Sequence, residues 1–281
     1  MTESVHPDPS RRRLLAGLGS SVAVAGLAAC APSGSGPTAP ARSTAPAAAE
    51  ADGGTAAVPA AVSPTPAPAG PGLVPGGPAV AVSNGPRDRP QVALTFHIGP
   101  HEAGQDLALA HQLLADASRL SVPITVFAVG QWLDNHRDLV PVILAGGNEI
   151  ANHTYTHPAL TAEPADRVAA EIIDCRDVLA RLAPMQGRYF RPSGTSNATP
   201  LILTEAGAAG YRTVVDFDVD PLDYTSPGTD AVVTRVRAAT RPGSIVSMHF
   251  GYPGTVAAFP RIAANLRTAG LTPVSVSQLL T

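Results

Sequence analysis

The sequence predicts an α/β fold built from repeated strand–helix units, and three observations carry that expectation. From Gln91 onward, short runs rich in β-branched and aromatic residues alternate with longer segments of helical period. Several helical segments end in glycine, as at Gly146, Gly210 and Gly270, the residue that most easily takes the left-handed conformation closing a helix. Ionisable residues fall at or just past the ends of the apparent strands.

The strand runs are Val92–Phe96, Ile124–Val129, Glu149–His153, Arg188–Arg191, Arg212–Asp218, Ser244–His249 and Pro273–Ser277. Between them lie the helical patterns Asp106–Leu120, Gln131–Ala145, Pro164–Leu182, Thr199–Ala208, Thr229–Ala239 and Val256–Ala269. Repeated βα units call for a parallel sheet, either open and doubly wound or closed as an incomplete barrel. His97, His153, Arg191, Asp218 with Asp220, and His249 sit at strand C-terminal ends, where βα barrels assemble active sites.

Composition narrows the function. The first third of the chain is Ala-rich but poor in aromatics and long aliphatics, so one folded domain, from 90 to 281, is expected. The formal net charge is -3, the basic residues are all Arg, and they are scattered, which argues against a nucleic-acid partner. The lack of Lys excludes a lysine Schiff base and a phosphate-loop lysine. No Gly-x-Ser-x-Gly elbow occurs in the domain, which argues against a serine hydrolase. Cys175 falls inside a helical pattern and reads as a small buried apolar group. Nothing in the sequence specifies an oligomeric state.

At the N-terminus, Ser10-Arg11-Arg12-Arg13-Leu14-Leu15 opens an apolar stretch that closes on Leu27-Ala28-Ala29-Cys30. A positive segment followed by an apolar core of this length fits a signal peptide over 1–30 and is short for a membrane span. The pattern resembles a twin-arginine signal ending in a bacterial lipobox. That resemblance implies export and acylation of Cys30, which would hold the protein on the outer face of the cytoplasmic membrane. Residues 31–89, mostly Pro, Ala, Gly, Ser and Thr, predict a disordered tether.

The segment Asn152-His153-Thr154-Tyr155-Thr156-His157 carries two imidazoles four residues apart. That spacing puts both on one face of a helical turn and lets them share a metal. The loop from His97 to Asp106 adds His101, Glu102 and Asp106 in a Gly-containing stretch able to fold back over such a site.

Five segments in order resemble the NodB-type polysaccharide deacetylases of carbohydrate esterase family four. They are Thr95-Phe96-His97-Ile98-Gly99-Pro100, His153 to His157, Arg191-Pro192-Ser193-Gly194, Asp220-Pro221-Leu222-Asp223-Tyr224, and Ile245-Val246-Ser247-Met248-His249. The resemblance implies a distorted barrel of seven or eight βα units. It also implies metal-dependent removal of acetyl groups from an N-acetylated wall or surface glycan. The expected cofactor is a divalent metal, zinc first, with cobalt, nickel or manganese as alternatives.

By the same resemblance, His153 and His157 are metal ligands, His249 is the acid that protonates the leaving amine, and Asp223 orients it. Arg191 steadies the base, while Pro192, Asp220 and Tyr224 contact substrate. The family's first motif reads Thr-Phe-Asp-Asp-Gly, and here His97 and Ile98 stand in place of the two carboxylates. An isoleucine cannot ligate, which leaves His97 as the expected base or third ligand, with Asp106 as another candidate ligand. Arg191 beside an imidazole would favour its neutral, proton-accepting form. The alternative is a glycan-binding or scaffolding protein on the same fold without catalysis.

Overall fold

Along one strand, Val92, Leu94, Phe96 and Ile98 alternate with Ala93, Thr95 and His97, and the two sets face opposite ways. The first set packs into the core shared with the helices, whereas Ala93 packs with Phe127, Ala151, Val215 and Ile245 inside the sheet's curve.

The computed structural model describes residues 76–100 and 107–281. Its strands are β1 (Val80–Val82), β2 (Gln91–Ile98), β3 (Thr125–Ala128), β4 (Glu149–Asn152), β5 (Thr213–Val215), β6 (Ile245–His249) and β7 (Thr272–Val274). The helices are α1 (Leu107–Leu120), α2 (Gly130–Asn135), α3 (Leu139–Ala145), α4 (Ala165–Leu182), α5 (Pro200–Ala208), α6 (Thr229–Ala239), α7 (Pro253–Thr268) and α8 (Val276–Leu279).

The strands pair in parallel, as βα repetition requires. Along β2, β3 pairs with Thr95–Ile98, β6 with Ala93–His97 and β7 with Gln91–Ala93. Single-residue bridges Asn152↔Phe190, Phe190↔Val214 and Val219↔Val246 carry the pairing from β4 through the β5 segment to β6. The circuit closes as the distorted βα barrel expected from the sequence.

Several boundaries differ from expectation. Residues 79–89, inside the range expected for the tether, belong to the folded domain. Val80 pairs with Thr213, and the buried Ala79 donates its N–H to Leu203 O at 2.8 Å. Arg87 bridges to Asp218 at 2.8 Å. Gly207 permits this approach, because a Cβ there would meet Gly77 O at 2.2 Å. Cys30, the signal segment and residues 31–75 of the expected tether lie outside the described residues.

The expected helix over 131–145 is two helices, because His136 leaves helical geometry at φ -131° and ψ 49°. The strand expected at Arg188–Arg191 reduces to the bridges of Phe190. The last strand lies earlier than expected, since Ser275 and Gln278 form a capping box that starts α8.

Candidate active site

The C-terminal ends of β2, β4 and β6 deliver His97, His153 and His249 to one end of the barrel. Register fixes the first and last of these, since His97 pairs with His249 across β2 and β6. The rings of His97 and His153 stack with centroids 4.2 Å apart. Ile98 points the other way, fully buried in the core against the helices, as the alternation of β2 demands.

A directional hydrogen-bond chain crosses the site. Arg191 is 1% exposed and lies between two aromatic faces, its guanidinium carbon 4.0 Å from the centroid of Phe127 and 5.3 Å from that of Phe217. It donates to Val215 O at 2.8 Å, Thr95 Oγ1 at 2.8 Å and Asp216 O at 3.2 Å. Its Nη1 also lies 3.1 Å from His97 Nε2. His97 Nδ1 is 3.0 Å from His249 Nε2, and His249 Nδ1 is 2.7 Å from Asp223 Oδ1. Burial, then the imidazoles of His153 and His249, then Arg191, hold His97 well below the usual histidine range. It is therefore neutral at physiological pH.

The expected helical turn over His153–His157 is absent. Thr154 and His157 both take positive φ, at 66° and 65°, so the pair sits in an irregular loop. Asn152 begins the bend by accepting from Thr154 N at 2.8 Å. The buried carboxylate of Glu171 on α4 completes it, accepting from Tyr155 N at 2.8 Å, Thr156 N at 2.7 Å and Thr156 Oγ1 at 2.5 Å. The two rings still meet, with centroids 5.0 Å apart. His153 Nδ1 is 2.9 Å from Arg191 O, an acceptor-only partner, which places its proton on Nδ1 and leaves Nε2 as the lone-pair nitrogen.

Asp223 lies in a short 3-10 turn between the left-handed residues Leu222 and Ser226. An open groove of about 510 Å³ runs over these groups. His97, His153, His157, Pro192, Asp220, Tyr224 and His249 line it, joined by Phe217 and Tyr252. The rings of Tyr224 and Tyr252 meet His249 edge-on, at 5.4 Å and 5.8 Å between centroids. Asp220, whose Oδ1 accepts from Leu222 N at 2.7 Å, has its carboxyl pushed up by partial desolvation, with Asp223 adding to the push.

Sequence reasoning missed Glu171 and Tyr252. Glu171 reads as an ordinary polar position on an amphipathic helix, and Tyr252 lies three residues past His249, beyond the last motif.

A family model described as polysaccharide deacetylase matches residues 84–214. A chitooligosaccharide deacetylase from Rhizobium leguminosarum bv. trifolii is 36% identical over 196 residues, spanning 69% of this chain and 84% of that relative. The chain belongs to the polysaccharide deacetylase family. Among solved structures, a peptidoglycan N-acetylglucosamine deacetylase aligns with a TM-score of 0.65 at 28% identity, over 72% of this chain and 93% of that one. A pseudoenzyme of carbohydrate esterase family four from Bacillus anthracis aligns with a TM-score of 0.66 at 21% identity, over 74% and 70% of the two chains. That second likeness is one of fold.

Set against the family's metal-dependent chemistry, the described residues of this polysaccharide deacetylase supply only part of a donor set. His153 and His157 offer two imidazoles, but Ile98 is apolar and faces the core, and both ring nitrogens of His97 are engaged. Among the described residues, no group of three His, Cys, Asp or Glu side chains could hold a metal ion. The described residues thus do not fit a three-ligand centre. His101, Glu102 and Asp106 lie outside them.

Proposed function

We propose that this chain hydrolyses the acetamide of an N-acetylated glycan, a cell-wall or surface polysaccharide, releasing acetate and a free amino sugar. The single observation carrying this reading is the His249–Asp223 pair, bonded at 2.7 Å and opening onto the groove. An imidazole held by a buried carboxylate suits proton transfer to a leaving nitrogen, an effect worth about 10²–10⁴-fold. The chitooligosaccharide and peptidoglycan substrates of the relatives support the class of glycan.

The groove's parts divide the work. Tyr224 and Tyr252, both against His249 in the groove lining, supply aromatic rings with hydroxyls suited to a sugar ring. Pro192 and Asp220 border the same space. The zinc, cobalt, nickel or manganese expected from the family finds two imidazoles among the described residues, so no step is assigned to it.

Acetate release from chitooligosaccharides and from peptidoglycan fragments tests the proposal. Release by the wild-type chain that falls at least 100-fold in His249→Ala supports it, and no release from either substrate sinks it. One observation favours a second reading, glycan binding without turnover: both carboxylates of the first motif are replaced, by His97 and Ile98. Binding of the same oligosaccharides without acetate release selects it.

We further propose that the domain works outside the cytoplasm, anchored by acyl chains on Cys30, on the strength of the Arg11-Arg12 and Leu27–Cys30 pattern. Mass spectrometry of the membrane-extracted protein decides this. Membrane retention unchanged in Cys30→Ala would exclude the anchor.

A further inference from the structure

We infer that His97 is a positioning residue whose Nδ1–H fixes the tautomer of His249, and that His249 Nε2 is both the base and the acid of the reaction. This role rests on the deacetylase reading above. It replaces the two roles expected for His97, general base and metal ligand.

The direction of the hydrogen bonds decides the matter. A guanidinium has donors and no lone pair, so the 3.1 Å contact from Arg191 Nη1 requires His97 Nε2 to accept. A neutral imidazole has one accepting nitrogen, so His97 carries its proton on Nδ1 and donates it to His249 Nε2 at 3.0 Å. His249 must then carry its own proton on Nδ1, where Asp223 Oδ1 accepts at 2.7 Å. Proton polarity runs one way, from Arg191 to Asp223.

Arg191 cannot turn aside without breaking its bonds to Val215 O and Thr95 Oγ1. The Thr95 hydroxyl is itself fixed as an acceptor there, since it donates to Val246 O at 2.7 Å. A base or a ligand needs a lone pair, and that of His97 is committed to a buried cation. The lone pair of His249 meets a neutral N–H, which an incoming water can replace.

The chemistry then balances with water as co-reactant. The water oxygen bonds to the acetamide carbon while one water proton passes to His249 Nε2, and Asp223 stabilises the imidazolium. The carbon–nitrogen bond breaks as that proton passes to the nitrogen. The acetic acid so formed loses the second water proton to solvent.

Nuclear magnetic resonance of the ¹⁵N-histidine-labelled full chain tests the tautomers in the resting protein. Protonated Nδ1 and unprotonated Nε2 are expected for both His97 and His249 at neutral pH. A protonated Nε2 on either ring overturns the assignment. This measurement needs no turnover, so an absence of acetate release would sink the deacetylase reading while the tautomers are read separately.

Three variants supply the second test. His97→Asn places an amide N–H near the position of Nδ1–H, His97→Gln carries its amide further out, and His97→Ala removes both. Acetate release should fall roughly 100-fold in His97→Ala and His97→Gln. In His97→Asn it should recover at least tenfold over His97→Ala, with KM unchanged. Equal losses in the Asn and Ala variants overturn the positioning role, because an amide N–H replaces neither a base nor a ligand.

Discussion

Asp223 holds His249 twice, accepting the ring Nδ1–H on Oδ1 at 2.7 Å and the main-chain N–H on Oδ2 at 2.8 Å. Thr255 Oγ1 and Tyr224 N donate to the same carboxylate, at 2.7 Å and 3.0 Å. One buried side chain thus joins β6, α7 and the turn before α6. Asp223→Asn turns an amide N–H toward one of these donors, and acetate release should fall about 10²–10⁴-fold. Stability should also fall, by about 1–3 kcal/mol, since a buried donor loses its acceptor. A variant with wild-type turnover would remove Asp223 from the mechanism.

Glu171 shapes the loop that carries His157. Its carboxylate takes two main-chain N–H groups and the Thr156 hydroxyl, and Arg167 bridges to it at 2.7 Å. Glu171→Ala leaves those donors without their acceptor and should cost about 2–4 kcal/mol, less than roughly 1–3 kcal/mol for each of the three because Tyr155 and Thr156 are only half-buried. Denaturant unfolding measures this. A loss below about 0.5 kcal/mol would show that water satisfies the loop equally well.

Cys175 supplies a pH test. Burial pushes its thiol from 9.0 up to about 12. Between these values the unfolded chain releases a proton that the folded chain keeps, so folding stability falls as pH rises through that window. Below pH 9.0 the thiol contributes no slope. Cys175→Ala should flatten the stability profile above pH 9.0. Native Cys175 should also resist alkylation until denaturant is added, and equal labelling with and without denaturant would contradict its burial.

The first strand makes a prediction about the start of the domain. Removing residues through Val82 deletes the β1–β5 pairing and uncovers the face that Ala79 buries. A loss of about 2–3 kcal/mol, or roughly 4–12 °C in Tm, is expected. Gly207→Ala should destabilise the longer chain through its contact with Gly77 O and cost far less in the shortened one. Equal effects in both lengths would exclude that contact as the cause.

The strand ends bearing His97, His153 and His249 were legible because βα repetition and strand length together determine where polar residues emerge. The partition of His97 from Ile98 follows equally from alternation along β2. What escaped the sequence reading was local geometry. Two imidazoles four apart look helical until Thr154 and His157 take positive φ, a choice imposed by Asn152 and by Glu171 from a distant helix. Likewise, β1 is three residues long and lies beside a Pro/Gly-rich stretch, too short for a period to show. It forms because β5 offers it an edge. Arg191 was expected beside His97, but which ring nitrogen it meets, and that His249 meets the other, follows only from the packed side chains.

The strand that bears His97 has more strand partners than its neighbours, being paired with β3, β6 and β7. Residue 97 is itself paired on both sides, with Phe127 of β3 and His249 of β6, and is consequently a poor place for evolutionary tinkering: a substitution there touches the barrel wall along with its chemistry. Directed evolution toward faster turnover should therefore succeed sooner at the rim, at Tyr224 or Tyr252, where a change reshapes the groove without taxing the scaffold.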